Sequence, residues 1–184
     1  MKAVLISIQP KWCELIANGK KTVEVRKTKP KLETPFKCYI YCTKGFKPNT
    51  PYSYKTWAGY GKIIGEFVCN MVTSLKAMGE VQALYNETKE TCLSHDEIIK
   101  YANGKRLYYW HISDLVIYDK PKDLSEFKRW CDGISGNIGC RGCEYYYTES
   151  NESIGFYEEC GCDNLRPLTR PPQSWCYVEK EGEG

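Results

Sequence analysis

A strand, a helix and a second strand at the start of the chain constrain its fold more than any other feature. The run "AVLISI" at residues 3–8 predicts a short buried strand. The segment "QPKWCELIANG" predicts a helix with Pro10 in its first turn and Gly19 as its stop. Next, "KTVEVRK" alternates and places Val23 and Val25 on one face of a strand. This order of elements favours a fold that mixes strands with short helices.

The rest of the chain predicts further short strands and one more helix. "KCYIYCT", "KIIGEFVCNMV", "RLYYWHISDLVIY" and "PPQSWCYV" each have a strand pattern. "SHDEIIKYANG" predicts a helix that a capping box of Ser94 and Glu97 opens. We therefore expect an α+β fold around a small, mostly antiparallel β-barrel. The expected division is a barrel over 1–129, a cysteine-rich insertion over 130–163, and a closing strand with an acidic tail over 164–184.

The strand at "KTVEVRK" places an acid between cations. If Val23 and Val25 point into the core, Glu24 and Arg26 share the opposite, exposed face about 7 Å apart. Lys21 then lies where the strand begins. A carboxylate held by two cations can accept from an amine, while the cations bind phosphate or carbonyl oxygen. This arrangement suits the edge of a nucleobase, and the alternative is a surface salt bridge worth about 0 to 1 kcal/mol.

The distribution of charge also points to nucleic acid. The chain carries +3 overall, but residues 1–62 contain 13 Lys or Arg and 3 Glu, a net +10, which leaves −7 for the remainder. Many aromatic residues are interleaved with these cations. Cations that meet phosphates and rings that stack on bases are the requirements of single-stranded RNA binding. The alternative is a solvated lysine face over an aromatic core.

The stretch "SIQPKWCELIANGKKTVEVRK" resembles the signature of the ASCH domain, a PUA-like family, with its Gly-x-Lys-x-x-Glu-x-Arg motif at Gly19, Lys21, Glu24 and Arg26. The resemblance implies a small mixed β-barrel flanked by short helices, with a cleft lined by this strand. It also implies RNA binding or recognition of a nucleobase-like ligand in a basic cleft. Fold analogy by itself does not assign function.

The residues expected to bind the ligand are Ser7, Gln9, Lys21, Glu24, Arg26 and Trp57. Ser7 and Gln9 precede the first helix, where side chains and free N–H groups can meet an anion or serve as caps. Trp57 lies in an aromatic-rich loop with Tyr54 and Tyr60, where a ring can stack on a flat ligand or pack onto the barrel. Of the neighbours Trp110 and His111, alternation lets at most one face the cleft.

Whether the protein is an enzyme stays open at this point. Small ASCH amidohydrolases that act on N4-acetylcytidine use a lysine and a threonine on this strand together with a glutamate. Lys21 matches the lysine, but Glu24 stands at the threonine position, and Glu97 matches the third residue only loosely. Lys21 and Glu24 are therefore catalytic candidates only if the protein is a hydrolase. Some ASCH proteins are also associated with ribonuclease activity.

The insertion predicts a structural zinc site. Cys140 and Cys143 form a C-x-x-C pair, and Cys160 and Cys162 form a C-x-C pair. Four thiolates can close a tetrahedral Zn²⁺ site and stabilise a segment that lacks a core. Cys131 and Cys176 are possible substitutes, and free thiols or a redox disulfide are the alternatives. No arrangement of His or Glu accompanies these cysteines that would activate a zinc-bound water.

The expected location is the cytoplasm. No run in the sequence approaches the roughly 18 apolar residues of a membrane span, and "AVLISI" is too short for the core of a signal peptide. The expected partner is RNA or a nucleotide-like ligand. A third possibility is a regulatory domain that recruits another protein through the insertion.

Overall fold

The computed structural model of the protein describes residues 2–44, 59–76, 89–130 and 165–180. In chain order these residues form β1 (Ala3–Ile8), α1 (Pro10–Ala17), β2 (Val23–Arg26), β3 (Phe36–Cys42), β4 (Ile63–Lys76), α2 (His95–Ala102), β5 (Arg106–Lys122), β6 (Phe127–Trp130), β7 (Leu165–Pro167) and β8 (Trp175–Lys180). The strands and the two helices predicted from sequence are confirmed, including the capping box of Ser94 and Glu97. The short strands β6 and β7 were not predicted.

Strand β1 is buried on both faces and paired on both edges. All six of its residues are buried, and it pairs in parallel with β3 and antiparallel with β8. Val4, Ile6 and Ile8 pack into one hydrophobic cluster, while Ala3 and Leu5 pack into another on the opposite side. Because both faces are covered, every residue of this strand except Ser7 is apolar, and the sequence does not alternate.

The eight strands form one mixed sheet in the order β2-β5-β4-β3-β1-β8-β6-β7. Among the described pairings only β1 with β3 is parallel, so the prediction of a mostly antiparallel sheet is confirmed. The prediction of a closed barrel is wrong, because in the described residues the end strands β2 and β7 are not hydrogen-bonded to each other. Strand β1 has both edges occupied and offers β2 no further backbone pairing.

Strands β4 and β5 form a long, irregular antiparallel pair. The register between them shifts at three places, between Ile63 and Gly65, between Glu66 and Val68, and between Cys69 and Met71. Such bulges bend and twist a strand pair. At Gly65 the backbones approach so closely that a Cβ atom would lie 2.3 Å from the carbonyl oxygen of Val116. A glycine is therefore required at this position of β4.

Helix α2 covers one face of β2. Val23 and Val25 pack against Ile98 and Ala102 of the helix, in a cluster to which Leu107 of β5 also belongs. The other face of β2 carries Glu24 and Arg26. With its hydrophobic face occupied by α2, the short strand holds these two charged side chains at a fixed position.

Strands β6 and β7 bracket the cysteine-rich insertion. They pair antiparallel, with Trp130 opposite Leu165, so residues 131–164 connect the ends of two neighbouring strands. Residues 131–164 themselves lie outside the described residues. Glu179 and Lys180, expected to begin the acidic tail, belong to β8. No helix in the described ranges is long and apolar enough to cross a membrane.

Candidate functional site

The candidate site is a buried cluster of three charged side chains, Lys21, Glu24 and Arg26, which we call the β2 cluster. Their side chains are 2%, 8% and 11% exposed, respectively. The sequence placed Lys21, Glu24 and Arg26 together correctly, but the expectation that their face is exposed is wrong. Both faces of β2 are covered, and alternation in a sequence cannot distinguish a polar face that meets water from one that meets other polar groups.

Glu24 joins the two cations. One carboxylate oxygen, Oε2, lies 3.3 Å from Lys21 Nζ, and the other, Oε1, lies 3.0 Å from Arg26 Nη2. Each cation also donates to a backbone carbonyl. Lys21 Nζ donates to Thr91 O at 2.7 Å, and Arg26 Nη2 donates to Ser7 O at 2.7 Å. The β2 cluster therefore joins β2 to the end of β1 and to the segment before α2.

The local backbone explains why Lys21 points inward. Gly19 adopts a positive φ of 68° after α1, and the N–H of Lys21 then donates to Leu15 O at 3.0 Å. The neighbouring N–H of Thr22 donates to Glu90 O, also at 3.0 Å. These bonds fix the short connection between α1 and β2. The glycine of the sequence motif thus terminates the helix and sets the direction of the lysine that follows.

The β2 cluster carries one net positive charge, since two cations share one carboxylate. Isolated buried charges are costly, and partners offset the cost only when the geometry is good. Glu24 balances one of the two cations, and the described residues supply no second buried acid beside them. The remaining positive charge favours an anion or the oxygen end of a polar group nearby.

Two buried N–H groups around the β2 cluster have no hydrogen-bond acceptor within the described part of the chain. These are Arg26 Nε and the indole Nε1 of Trp110, whose residue is 0% exposed. Trp110 of β5 lies directly opposite Glu24 in the sheet, so the two side chains share a face. A buried donor without an acceptor costs about 1–3 kcal/mol. Sequence reasoning left Trp110 and His111 undecided because the register of β2 on β5 is not local information.

Aromatic rings surround the β2 cluster. Trp12 of α1 lies beside two ammonium groups, with Lys11 Nζ 4.3 Å and Lys21 Nζ 5.3 Å from the ring centroid. The Trp110 ring packs against Phe36 and Trp175, at centroid distances of 5.7 and 6.0 Å. Sequence reasoning missed Trp175, which only the pairing of β8 with β1 brings near. The charged cluster thus adjoins flat rings of the size that stack on a base.

Of the other residues predicted to bind the ligand, Ser7 contacts the β2 cluster, Gln9 is exposed and Trp57 lies outside the described residues. Ser7 contributes its carbonyl oxygen to Arg26, but its hydroxyl donates to Pro172 O at 2.6 Å. Gln9 is exposed, and its side chain makes no cap bond at the start of α1. Trp57 and Tyr54 lie outside the described residues, whereas Tyr60 packs onto the main core.

His111 and Glu97 both have structural contacts. His111 Nε2 lies 3.3 Å from Thr73 Oγ1, and its residue is opposite Val23, on the other face of β2 from Glu24. The carboxylate of Glu97 accepts from the N–H of Ser94 at 2.8 Å, and this bond lowers its pKa. The Glu97 contact is part of the capping box that the sequence predicted.

A buried thiol next to the β2 cluster is not a nucleophile. A hydrogen bond with Cys42 and burial raise the pKa of Cys13 far above its ordinary value, and the charge of Glu24 adds to the effect. The Cys13 thiol also lies 3.5 Å from Ile8 O, to which it donates. Since the thiolate is the reactive form, Cys13 acts here as a small apolar residue of the core.

The predicted zinc ligands Cys140, Cys143, Cys160 and Cys162, and the substitute Cys131, lie outside the described residues. The other substitute, Cys176, is buried in β8 among the apolar side chains of the cluster that contains Leu5 and Val178. No group of three or more potential metal ligands occurs in the described ranges. The zinc site therefore stays a prediction about the insertion.

Comparison with known proteins identifies related folds. The family model described as the ASCH domain matches residues 6–180. The crystal structure of the ASCH protein from Zymomonas mobilis superposes with a TM-score of 0.56 at 19% identity, covering 97% of this chain and 89% of that one. Two mutants of the Zymomonas protein give TM-scores of 0.56 and 0.51 at 18% and 20% identity. The first comparison covers 97% of this chain and 89% of the mutant chain, and the second covers 67% and 77%. No curated protein matches significantly.

Proposed function

The chain belongs to the ASCH domain family, and from that membership we propose that it binds RNA or a nucleotide-like ligand at the β2 cluster. Members of this family are generally RNA-binding. Lys21, Glu24 and Arg26 are the residues of this chain that match the family motif, and they adjoin one another in the fold. In this proposal a nucleobase-like group of the ligand meets the β2 cluster.

The observation that carries the proposal is the single unbalanced positive charge of the β2 cluster. A cluster that served only to hold the fold together would be most stable with its charges matched. Here Lys21 and Arg26 share the one carboxylate of Glu24. Two N–H groups, Nε of the same Arg26 and Nε1 of Trp110, have no acceptor among the described residues. Oxygen atoms of a base or a phosphate complement such a set of donors, and charge-assisted bonds to them are stronger than neutral ones.

Exposed lysines near β2 offer contacts to the phosphates of the same ligand. Lys20, Lys27 and Lys29 are all exposed. The ammonium group of Lys27 lies 4.9 Å from the Tyr101 ring, and that of Lys29 lies 6.0 Å from the Tyr108 ring. Tyr108 is opposite Arg26 in the sheet, so Lys29 lies near the β2 cluster. Phosphates bound here would position a chain whose base is read by the buried groups.

The hydrolase alternative gains no support from the described geometry. Lys21 Nζ is held between Thr91 O and the Glu24 carboxylate, contacts that suit a fixed ammonium rather than a base that shuttles protons. The position of the family threonine carries a carboxylate that already binds two cations. The protein-recruiting alternative depends on residues 131–164, which lie outside the described residues.

The proposal is tested by the affinity of fluorescently labelled single-stranded RNA for three proteins. We expect Arg26→Gln to weaken binding about tenfold or more, because it removes a charged donor from the site. The control is Lys62→Gln, which also removes one positive charge but from the pair with Asp123 elsewhere on the sheet. Circular dichroism verifies that each variant is folded. Equal affinity of wild type, Arg26→Gln and Lys62→Gln would reject the β2 cluster as the binding site.

A further inference from the structure

The β2 cluster presents hydrogen-bond donors to a ligand and few acceptors. The sequence suggested that Glu24 accepts from an exocyclic amine of a base. In the structure each of its two carboxylate oxygens is already in contact with a cation, one with Lys21 and the other with Arg26. The lone pairs left on these two oxygens lie between two cations, in a region of net positive charge. A ligand oxygen is favoured there over a ligand amine, because the surrounding groups are charged hydrogen-bond donors.

The donors that remain are buried and lie on one face of the β2–β5 pair. Arg26 Nη2 contacts both the Glu24 carboxylate and Ser7 O, while Arg26 Nε has no acceptor among the described residues. The indole Nε1 of Trp110 also has no acceptor among the described residues. Arg26 and Trp110 are diagonal neighbours across the two strands. In a regular sheet the Cα atoms of such neighbours are about 7–8 Å apart. The two side chains therefore project from the same face of the β2–β5 pair.

We infer that this site, given the proposed binding of a nucleotide-like ligand, selects bases that present keto oxygens over bases that present amino groups. A 6-oxopurine offers two adjacent acceptors, O6 and N7, whereas adenine offers N7 beside an amino donor. A 4-oxopyrimidine likewise replaces the amino group of cytosine with an oxygen. An amino group facing Arg26 Nε or Trp110 Nε1 would leave two donors opposed in a buried place.

The inference is tested by calorimetric titration of the full chain with matched nucleotide pairs. Inosine and adenosine 5′-monophosphate differ at position 6 in oxygen against an amino group, and uridine and cytidine 5′-monophosphate differ in the same way at position 4. We expect the keto member of each pair to bind about tenfold more tightly. Trp110→Phe and Arg26→Lys each remove one of the N–H groups that have no acceptor. Both variants should reduce the ratio of keto to amino affinity several-fold.

A matched control distinguishes the loss of the Trp110 N–H group from the loss of part of an aromatic ring. Trp175→Phe truncates the ring that packs on Trp110, but the indole N–H of Trp175 already donates to Thr28 Oγ1 at 3.0 Å. This variant should keep the keto preference. If Trp110→Phe fails to fold, Arg26→Lys carries the same test, because lysine keeps the charge and lacks the Nε–H group.

The outcomes distinguish this inference from the proposed function. Equal affinity within each pair, or tighter binding of the amino member, overturns the inference and leaves RNA binding at the β2 cluster standing. Binding of single-stranded RNA without measurable binding of any of the four nucleotides also overturns it, because no base is then read in the site. Absence of both kinds of binding overturns the proposed function as well.

Discussion

At the residue scale, Glu24 determines whether two buried cations have a partner. Its oxygens contact Lys21 and Arg26, and neither cation has another carboxylate in the described contacts. The sequence motif was sufficient to predict that these three residues meet. It was not sufficient to predict their burial, because α2 covers one face of β2 and the β1–α1 region covers the other through contacts distant in sequence. The role of Trp110 depends in the same way on strand register.

We expect Glu24→Gln to destabilise the protein by about 3 kcal/mol, because removing one partner leaves buried charge uncompensated. The sequence alone had favoured a small effect, as for an exposed carboxylate. The free energy of unfolding in urea measures the loss. The control is Lys62→Gln, which breaks the pair with Asp123, where both side chains are more than one-third exposed.

For that control the expected loss is below about 1 kcal/mol. Should Glu24→Gln lose no more stability than Lys62→Gln, the β2 cluster is not a buried group of charges in solution.

At the element scale, sequence patterns predicted the strands that have an apolar run or a clear alternation, but not β6 and β7. Strand β1 was predictable from its mainly apolar run, and β2 from its alternation. Strands β6 and β7 have four and three residues, and "FKRW" has too few apolar positions to reveal a period. Their pairing is set by contacts of β6 with β8, which lies about fifty residues later in the chain.

The predicted zinc ligands lie in the segment that connects the paired strands β6 and β7. We expect about one Zn²⁺ per chain, bound by Cys140, Cys143, Cys160 and Cys162 in the segment that connects these strands. Elemental analysis of the reduced protein in metal-free buffer measures it. Cys140→Ser with Cys160→Ser should abolish the zinc, since two of four thiolates are lost.

Cys92→Ser is the matched control for this prediction, because Cys92 is a free, partly exposed thiol before α2. It should leave the zinc content unchanged. Zinc far below one per chain in the wild type, or zinc retained by the double variant, would show that the insertion is not a zinc site of this kind.

At the scale of the whole molecule, the uneven charge and the open sheet bear on how a long ligand is bound. The net +10 of residues 1–62 was visible in the sequence, but its position relative to the site was not. The exposed Lys20, Lys27 and Lys29 flank β2 in the chain, so part of this charge lies at the proposed site. The closed barrel expected from the resemblance is wrong because, in the described residues, the end strands β2 and β7 are not paired with each other.

We expect the combined change of Lys20, Lys27 and Lys29 to Gln to weaken single-stranded RNA binding and its salt dependence. Each phosphate contact with a single strand contributes about 0.7 to the slope of log affinity against log salt, so three contacts contribute about 2. Affinities measured between low and physiological salt give the slope. The control changes Lys100, Lys105 and Lys120 to Gln, three exposed lysines from the acidic part of the chain.

If log affinity falls with log salt at the same slope in the two triple variants, the RNA phosphates are bound away from β2. A wild-type affinity that is flat across the salt range would show that phosphate contacts contribute little to binding.

Binding at the β2 cluster can be observed through the nuclear magnetic resonance signals of its two N–H groups that have no acceptor. When single-stranded RNA is added to ¹⁵N-labelled protein, we expect the Arg26 Nε–H and Trp110 Nε1–H resonances to shift as both groups acquire acceptors. The backbone N–H resonances of α2, which packs on the other face of β2, should stay nearly unchanged. RNA that binds while both side-chain resonances keep their positions would contradict the account, because the ligand would then lie elsewhere on the protein.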